Sequence, residues 1–521
     1  MEKRKIKDIV IVGGGSAGWL AALSLSSPQL TKKFEYNVTL IESKDIPTIG
    51  VGESTQPLVT DFMNRAEFKV WDWMPKANAT FKMGVLLDGW ADIPSFVDSE
   101  DAVYHSLYNQ YTMSDIFLKN KLSAEQFNEW LEPYHISREN KCPLIGTPRK
   151  EKPRDADVIY YSKSDGNPPW AVQWDQASLA NTLREECITR PNFKLINETV
   201  NDISVDNGGF VTSLELTNGL RVNGDLFIDC SGFKRIILNK LYNIPWISFN
   251  NFLPNNHALV IRKKYVNPQQ ECHPYTKATA MTSGWKWSIP TYNDMSHGYV
   301  FCDKYIDVQD AEYELRSKIN EWEAPVLDVP FTPGISNQIA HMNVIGAGLS
   351  SAFVEPLEAT SLAFTCVSVG VLQDCLVDNN FYFVPAINHD VNVVYNIIVE
   401  EITSFIFAHF KYATKNNTPY WKDLKKIDPP PHAKLYTDEA EKNPIHKRWL
   451  EQQTTKKMFH AGHWFQLLYP YGFYKDFTPH VPDHVNAIGK IWLERYKHQR
   501  TELLSQLDNH YDYLTKWYES C

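Results

Sequence analysis

Ile9-Val10-Ile11-Val12-Gly13-Gly14-Gly15-Ser16-Ala17-Gly18 is the stretch on which the fold turns. Residues 5–12 read as a buried strand that runs straight into the glycines. Residues 16–25 read as a helix with an apolar stripe of Ala17, Leu20, Ala21 and Leu23. Val38-Thr39-Leu40-Ile41 is a second strand, ending at Glu42. Strand, Gly-x-Gly-x-x-Gly turn, helix, strand and a terminal acid make the start of a dinucleotide-binding fold. Gly13 makes the tight turn, Gly15 lets the backbone approach a pyrophosphate, and Gly18 permits close helix–strand packing. The helix start at Ser16 and Ala17 turns its free N–H groups toward phosphate, and Glu42 is placed to accept hydrogen bonds from ribose hydroxyls.

Working outward, 521 residues exceed one simple core and predict two or three interlocked lobes. A 43% hydrophobic and 22% charged composition is that of a soluble globular enzyme. Aromatic content of 13%, with 16 tryptophans, suits a site that handles flat rings. A net charge of −10 with scattered Lys and Arg argues against nucleic acid as a partner. The N-terminus leads directly into a strand, and no apolar run approaches the roughly 18 residues of a membrane span. Eight cysteines without CxxC spacing predict reduced, mostly buried thiols in a cytoplasmic protein.

Further along, Gln173–Thr182 opens a helix and residues 197–217 alternate like paired strands. Leu226-Phe227-Ile228-Asp229-Cys230-Ser231-Gly232 is a strand ending in Asp-x-Ser-Gly, a pattern that recurs beside the nucleotide site of flavin-binding folds. It places Asp229 next to the first strand and makes the cofactor domain discontinuous. Residues 288–300 and 342–348 supply more strand, the latter ending at Gly348. After about residue 380 the pattern is helical and aromatic.

Four phrases carry chemistry. Pro47-Thr48-Ile49-Gly50-Val51-Gly52-Glu53-Ser54 has glycines spaced to lie flat on a planar group or to move. Lys82 sits between Phe81 and Met83, surroundings that destabilise its ammonium form and free the amine as nucleophile or donor. Gly284-Trp285-Lys286-Trp287-Ser288-Ile289-Pro290 sets two tryptophans two residues apart beside a proline, unusual for ordinary core. Glu355-Pro356-Leu357-Glu358-Ala359-Thr360-Ser361 precedes a long apolar helix, with Thr360 or Ser361 as its N-cap and a small anion site at its first turn. Glu358 is the best-placed carboxylate. On local pattern alone a helix-start glutamate more often serves to stabilise the helix dipole, and Glu355 competes with it. His105 and Trp464 are further candidates for a substrate contact.

These phrases, in this order over roughly residues 5–375, resemble the flavin-dependent halogenases, and the tryptophan-halogenase branch in particular. The Trp-x-Trp-x-Ile-Pro phrase is the specific one. The resemblance implies an α/β fold: an FAD-binding, Rossmann-like domain of monooxygenase type with an inserted sheet and a largely helical C-terminal region. In residues, that is a discontinuous core over 1–390 with a β-rich insertion (about 90–220 and 240–340), then 391–521 covering the substrate site. FAD, as FADH2, would be held at Gly13, Gly15, Ser16, Ala17, Gly18, Glu42, Gly50, Val51, Gly52, Asp229 and Gly348. A halide (chloride, bromide or iodide) would sit at the backbone of Thr360 and Ser361 and be oxidised to hypohalous acid. The acid would pass through a tunnel to Lys82, with Glu358 polarising the halogen donor or taking the ring proton. Trp285, Trp287, Ile289 and Pro290 would separate flavin from an electron-rich indole or phenol. A separate flavin reductase would supply FADH2, and a homo-oligomer is the family's habit.

Two departures matter. Where the tryptophan-specific branch reads Glu-Ser-Thr-Gly, this chain has Glu358-Ala359-Thr360-Ser361, which leaves the preferred halide open. The last third does not follow the segment that clamps free tryptophan. Two other readings share the nucleotide fold. An aromatic monooxygenase would act without halide, would oxidise NAD(P)H directly and would not need Lys82. A flavoprotein acting only as a carrier would bind FAD and turn nothing over.

Overall fold

The computed structural model describes residues 3–45, 51–91, 102–106, 118–121, 132–144, 171–434, 438, 458–459, 461–474, 477–481 and 483–521. The chain forms two compact units, each assembled from three separate stretches. The first takes Met1–Asn78, Trp174–Asn250 and Thr332–Val399; the second takes Ala79–Gln173, Asn251–Phe331 and Glu400–Cys521.

The first unit is built on a six-stranded sheet in the spatial order Ala340–His341, Val344–Gly346, Leu226–Asp229, Asp8–Val12, Asn37–Glu42, Phe193–Asn197. All neighbours run parallel except the outermost pair at Ala340–His341. Asp8–Val12 is flanked on both sides, so its Ile-Val-Ile-Val run is buried and does not alternate. The helix Ser16–Leu25 is buried nearly all round. It packs against the helices Gln176–Ile188 and Ser361–Asp378 and, less extensively, Pro57–Arg65. Beneath the sheet, Val10, Val12, Phe227 and Val344 meet Val211, Leu214 and Leu216 of a small antiparallel sheet. At about 1.5–3 kcal/mol per fully buried large aliphatic or aromatic side chain, this core holds the strand ends that carry the glycines.

The second unit centres on a seven-stranded sheet: Val326–Pro330, His257–Lys263, Met295–Phe301, Gly284–Pro290, Thr276–Ala280, Gly84–Asp88, Ala102–Ser106. It is antiparallel apart from the Thr276–Ala280/Gly84–Asp88 pair. The helix Val308–Ile319, capped by Asp307 accepting from the Asp310 N–H at 2.8 Å, covers Leu259, Ile261, Tyr299 and Phe301. Residues 288–300, read as strand, belong to two strands joined by a turn in which Thr291 N–H donates to the Asp294 carbonyl. Near the C-terminus, Asp483–Gln506 and His510–Tyr518 are helices.

Two helices, Leu357–Asp378 and Ala386–Tyr412, are long and apolar enough to cross a membrane, which the run-length reading did not pick out. Most of each is buried by protein, so their apolarity is accounted for by core packing. All eight cysteines are free thiols, six of them buried.

Candidate active site

The glycine turn of the first unit is shaped by close approaches. Gly13 has φ +113°, and a Cβ there would lie 2.3 Å from the Cys230 carbonyl oxygen. A Cβ on Gly18 would lie 1.9 Å from the Gly13 carbonyl oxygen. Gly15 faces open space and begins the helix Ser16–Leu25 without any side-chain cap, so the first N–H groups there remain available. Gly348, at φ +63°, meets the same turn from the neighbouring strand end, where a Cβ would come within 2.5 Å of Ala17 Cβ.

Gly14 was not singled out by the sequence, yet a Cβ on it would overlap the Glu42 carboxylate at 2.2 Å. Its missing side chain is what lets Glu42 fold back onto the turn. Glu42 Oε2 is buried without a hydrogen-bond donor among the described residues, and Arg184 lies 3.6 Å from it. An unsatisfied acceptor beside a glycine cradle fits a ribose hydroxyl and a dinucleotide phosphate.

Asp229 pairs with Val12 of the first strand, as read from the sequence. Its carboxylate accepts from Ser231 N–H (3.1 Å) and Oγ (2.5 Å), Ser350 Oγ (3.2 Å), Ile237 N–H (2.9 Å) and Leu238 N–H (3.0 Å). With five protein donors it anchors the strand end, and its reach toward a cofactor is through that fold. The Val51 carbonyl, next to Gly52, accepts from Gln176 N–H at 3.1 Å. Gly50 lies outside the described residues.

Glu53, also unassigned by the sequence, accepts from Trp174 Nε1 at 3.0 Å and hydrogen-bonds Ser16, whose hydroxyl accepts from Gln176 Nε2 at 3.1 Å. Burial pushes its carboxyl up to about 7, against the pull of the Trp174 and Ser16 hydrogen bonds. A raised carboxyl pKa adds stability below its ordinary range and loses it as pH rises through about 7. We expect Glu53→Gln to remove a penalty of about 1–3 kcal/mol at pH 8 and none at pH 4. Thermal unfolding of both proteins across that range checks this, and parallel curves would contradict it.

Before the helix Ser361–Asp378, Glu358 and Ala359 are consecutive non-glycine residues in the left-handed region, with φ +62° and +56°. Each such conformation costs on the order of 1–3 kcal/mol and persists only where the surroundings enforce it. Gln56 Nε2 donates to the buried Glu358 carbonyl at 2.5 Å. Thr360 occupies the N-cap position of Ser361–Asp378, as read from sequence, but its hydroxyl donates back to the Glu355 carbonyl at 3.4 Å and does not cap. The helix therefore starts with N–H groups that no side chain of its own cap satisfies, at Thr360 and Ser361, where an anion was expected.

In the second unit, Lys82 is fully buried on the short strand Thr80–Lys82. That strand is fixed by groups the sequence did not connect with it. Thr80 Oγ1 donates to the Pro290 carbonyl at 2.7 Å, tying it to the tryptophan strand. The Phe81 N–H donates to His510 Nε2 at 3.3 Å, while His510 Nδ1 lies 2.9 Å from the Cys272 carbonyl. The two contacts define one tautomer, protonated at Nδ1, and burial lowers the imidazole pKa to about 4, which keeps it neutral. A lowered histidine pKa gives stability that is present above about 6.5 and lost as pH falls through about 4. His510→Phe should cost about 1–3 kcal/mol at pH 7. The difference should shrink toward pH 4, read by urea unfolding at the two pH values.

Gly284–Pro290 is buried along its whole length. Trp285, Trp287 and Ile289 share one face by strand alternation, with the two indole rings 6.2 Å apart. Gly298 stands opposite Trp287, and a Cβ there would lie 2.0 Å from the indole. Trp90 continues the cluster at 6.5 Å from Trp285, and its Nε1 donates to the Ala278 carbonyl at 2.9 Å. Trp287 Nε1 is buried with no acceptor among the described residues. On the reverse face, Lys286 Nζ donates to Ser288 Oγ at 2.6 Å, and Ser288 Oγ lies 3.0 Å from His297 Nδ1. Burial, then Lys277, lowers the Lys286 pKa to about 7. His105 lies in the strand Ala102–Ser106 opposite Val85. Trp464 is fully buried and packs edge-on to Phe405 at 5.1 Å.

Comparisons with known proteins bear on the chain as a whole. Residues 8–486 fit the family model described as tryptophan halogenase. The tryptophan 6-halogenase of Streptomyces toxytricini is 28% identical over 437 residues, covering 82% of each chain. The tryptophan 7-halogenase of Lentzea aerocolonigenes is 26% identical over 81% of this chain and 79% of its own. In fold, a tryptophan halogenase from Shewanella frigidimarina superposes with a TM-score of 0.86 at 23% identity, covering 99% of this chain and 98% of that one. A flavin-dependent halogenase from Brevundimonas sp. gives 0.81 at 24%, over 98% and 99%. With a family model spanning nearly its whole length, the chain belongs to the tryptophan halogenase family of flavin-dependent halogenases.

Proposed function

We propose that this enzyme halogenates an electron-rich aromatic of indole or phenol type, using reduced FAD from a separate flavin reductase, dioxygen and a halide. The observation that carries the reading is Lys82: a fully buried lysine on a strand tied through Thr80 to the Trp-x-Trp-x-Ile-Pro strand. Burying a lysine is costly unless its amine has work to do or partners to meet.

Bound in its reduced form, FAD would supply the activation of dioxygen that oxidises halide to hypohalous acid. This chain's residues supply the rest. The N–H groups after Gly15 hold the pyrophosphate, and Glu42 accepts from the ribose. The N–H groups of Thr360 and Ser361 hold the halide at a helix start. Lys82 donates a hydrogen bond to the hypohalous acid or exchanges a proton for halogen at Nζ, and so aims an electrophile at one ring carbon. Glu358 takes the proton that the ring loses. Trp285 and Trp287 form an apolar wall that keeps the organic substrate from the cofactor, so that oxygen is not transferred directly to it.

Omission of single components tests the scheme. Product formation should require reductase, FAD and halide together. Oxygenated product in the absence of halide would instead establish the monooxygenase reading.

A further inference from the structure

Gln56 belongs to none of the phrases that signal the family. It immediately precedes Pro57, the first residue of the helix Pro57–Arg65, in the position from which side chains often cap a helix, yet it makes no cap there. Its amide turns the other way, is buried, and donates to the Glu358 carbonyl at 2.5 Å. That carbonyl belongs to the first of two consecutive left-handed non-glycine residues, Glu358 and Ala359. Within the turn, the Ala359 N–H donates to the Pro356 carbonyl at 3.1 Å, and Thr360 Oγ1 donates to the Glu355 carbonyl at 3.4 Å. A left-handed Glu358 swings its carbonyl out of the path of the coming helix, where a buried oxygen with no donor would be costly. Gln56 meets that oxygen and so makes a conformation that glycine would adopt freely tolerable for glutamate and alanine.

We propose that Gln56 is the positioning residue that holds the Glu358–Ala359 turn, and through it sets both the halide affinity of the Thr360–Ser361 backbone and the aim of the Glu358 carboxylate. The proposal rests on the halide reading given above. Gln56→Met keeps the bulk of the side chain and removes its donor; Ala359→Gly removes part of the conformational cost the donor opposes.

Gln56→Met should raise the halide concentration needed for half-maximal rate about tenfold, the equivalent of one lost buried hydrogen bond. FAD affinity, read by fluorescence quenching, should stay within about twofold. Adding Ala359→Gly should bring the halide dependence back to within about threefold of wild type. An unchanged halide dependence in Gln56→Met, or a loss shared equally by FAD binding and not relieved by Ala359→Gly, would overturn the proposal. Should the wild-type enzyme show no halide-dependent product, the halide reading fails separately, and thermal unfolding decides on the clamp. The shifts of the two substitutions must then be non-additive, and additive shifts would overturn the clamp as well.

Discussion

Lys82→Ala is expected to lower the yield of halogenated product by at least about 100-fold, the scale on which a positioned donor or nucleophile contributes, while reduced flavin is still consumed by oxygen. Lys82 lies fully buried on a strand of the second unit, and the glycine turn with Glu42 and Gly348 belongs to the first. The substitution alters none of the residues assigned to the cofactor. Truncation to alanine also opens a cavity, so Lys82→Met belongs beside it. Methionine keeps most of the volume and has no amine. Both variants should bind FAD like wild type and lose product alike. If Lys82→Met retains product while Lys82→Ala does not, the lysine fills space and does no chemistry.

Gly18→Ala is expected to abolish FAD binding, with an affinity loss of at least about 100-fold and a drop in stability of several kcal/mol. The sign is worth arguing, because Gly18 lies inside a helix, where alanine is ordinarily better by about 1 kcal/mol. Here the added Cβ would sit 1.9 Å from the Gly13 carbonyl oxygen, and that atom is backbone, held by the Gly13 N–H bond to the Ile41 carbonyl at 2.9 Å. A rigid overlap of that size outweighs the helix propensity. Relief requires the helix Ser16–Leu25 to draw back from the strand, which pulls its first N–H groups away from the phosphate position. Titration with FAD checks this, and binding within a few-fold of wild type would contradict it. Gly15→Ala is the contrasting case. With nothing within 4 Å of its would-be Cβ, it should fold normally and weaken binding only where the cofactor itself would meet the methyl group.

The parts of this molecule that were legible in the sequence are those whose physics is local. A doubly flanked strand must be apolar throughout, so Ile9–Val12 announced itself, and the glycine turn followed because its spacing is set by close backbone contacts. The tryptophan pair at 285 and 287 was visible because strand alternation puts both on one face. What stayed hidden depends on residues far apart in the chain. Gly14 matters only because Glu42 folds over it. The strand of Lys82 is held by His510, 429 positions from Phe81. The left-handed pair at Glu358 and Ala359 carries no glycine to signal it, and the donor that supports it, Gln56, comes 302 positions earlier. Thr360 stands at the predicted N-cap, yet a nearby carbonyl takes its hydroxyl. Asp229 was legible as a strand end, but the donors that hold its carboxylate, Ser231, Ile237 and Leu238, were not. Lys286, on the reverse side of the tryptophan strand, is a buried amine with a lowered pKa that no phrase of the sequence singled out.

The central claim is that this chain transfers halogen to carbon. Mass spectrometry of an indole and phenol panel tests it most directly, with the purified enzyme, FAD, a flavin reductase, NADH and bromide. The account predicts product carrying the bromine isotope doublet, absent with Lys82→Met and absent without bromide. Product that gains oxygen in every tube, with or without bromide and with or without Lys82, would contradict it.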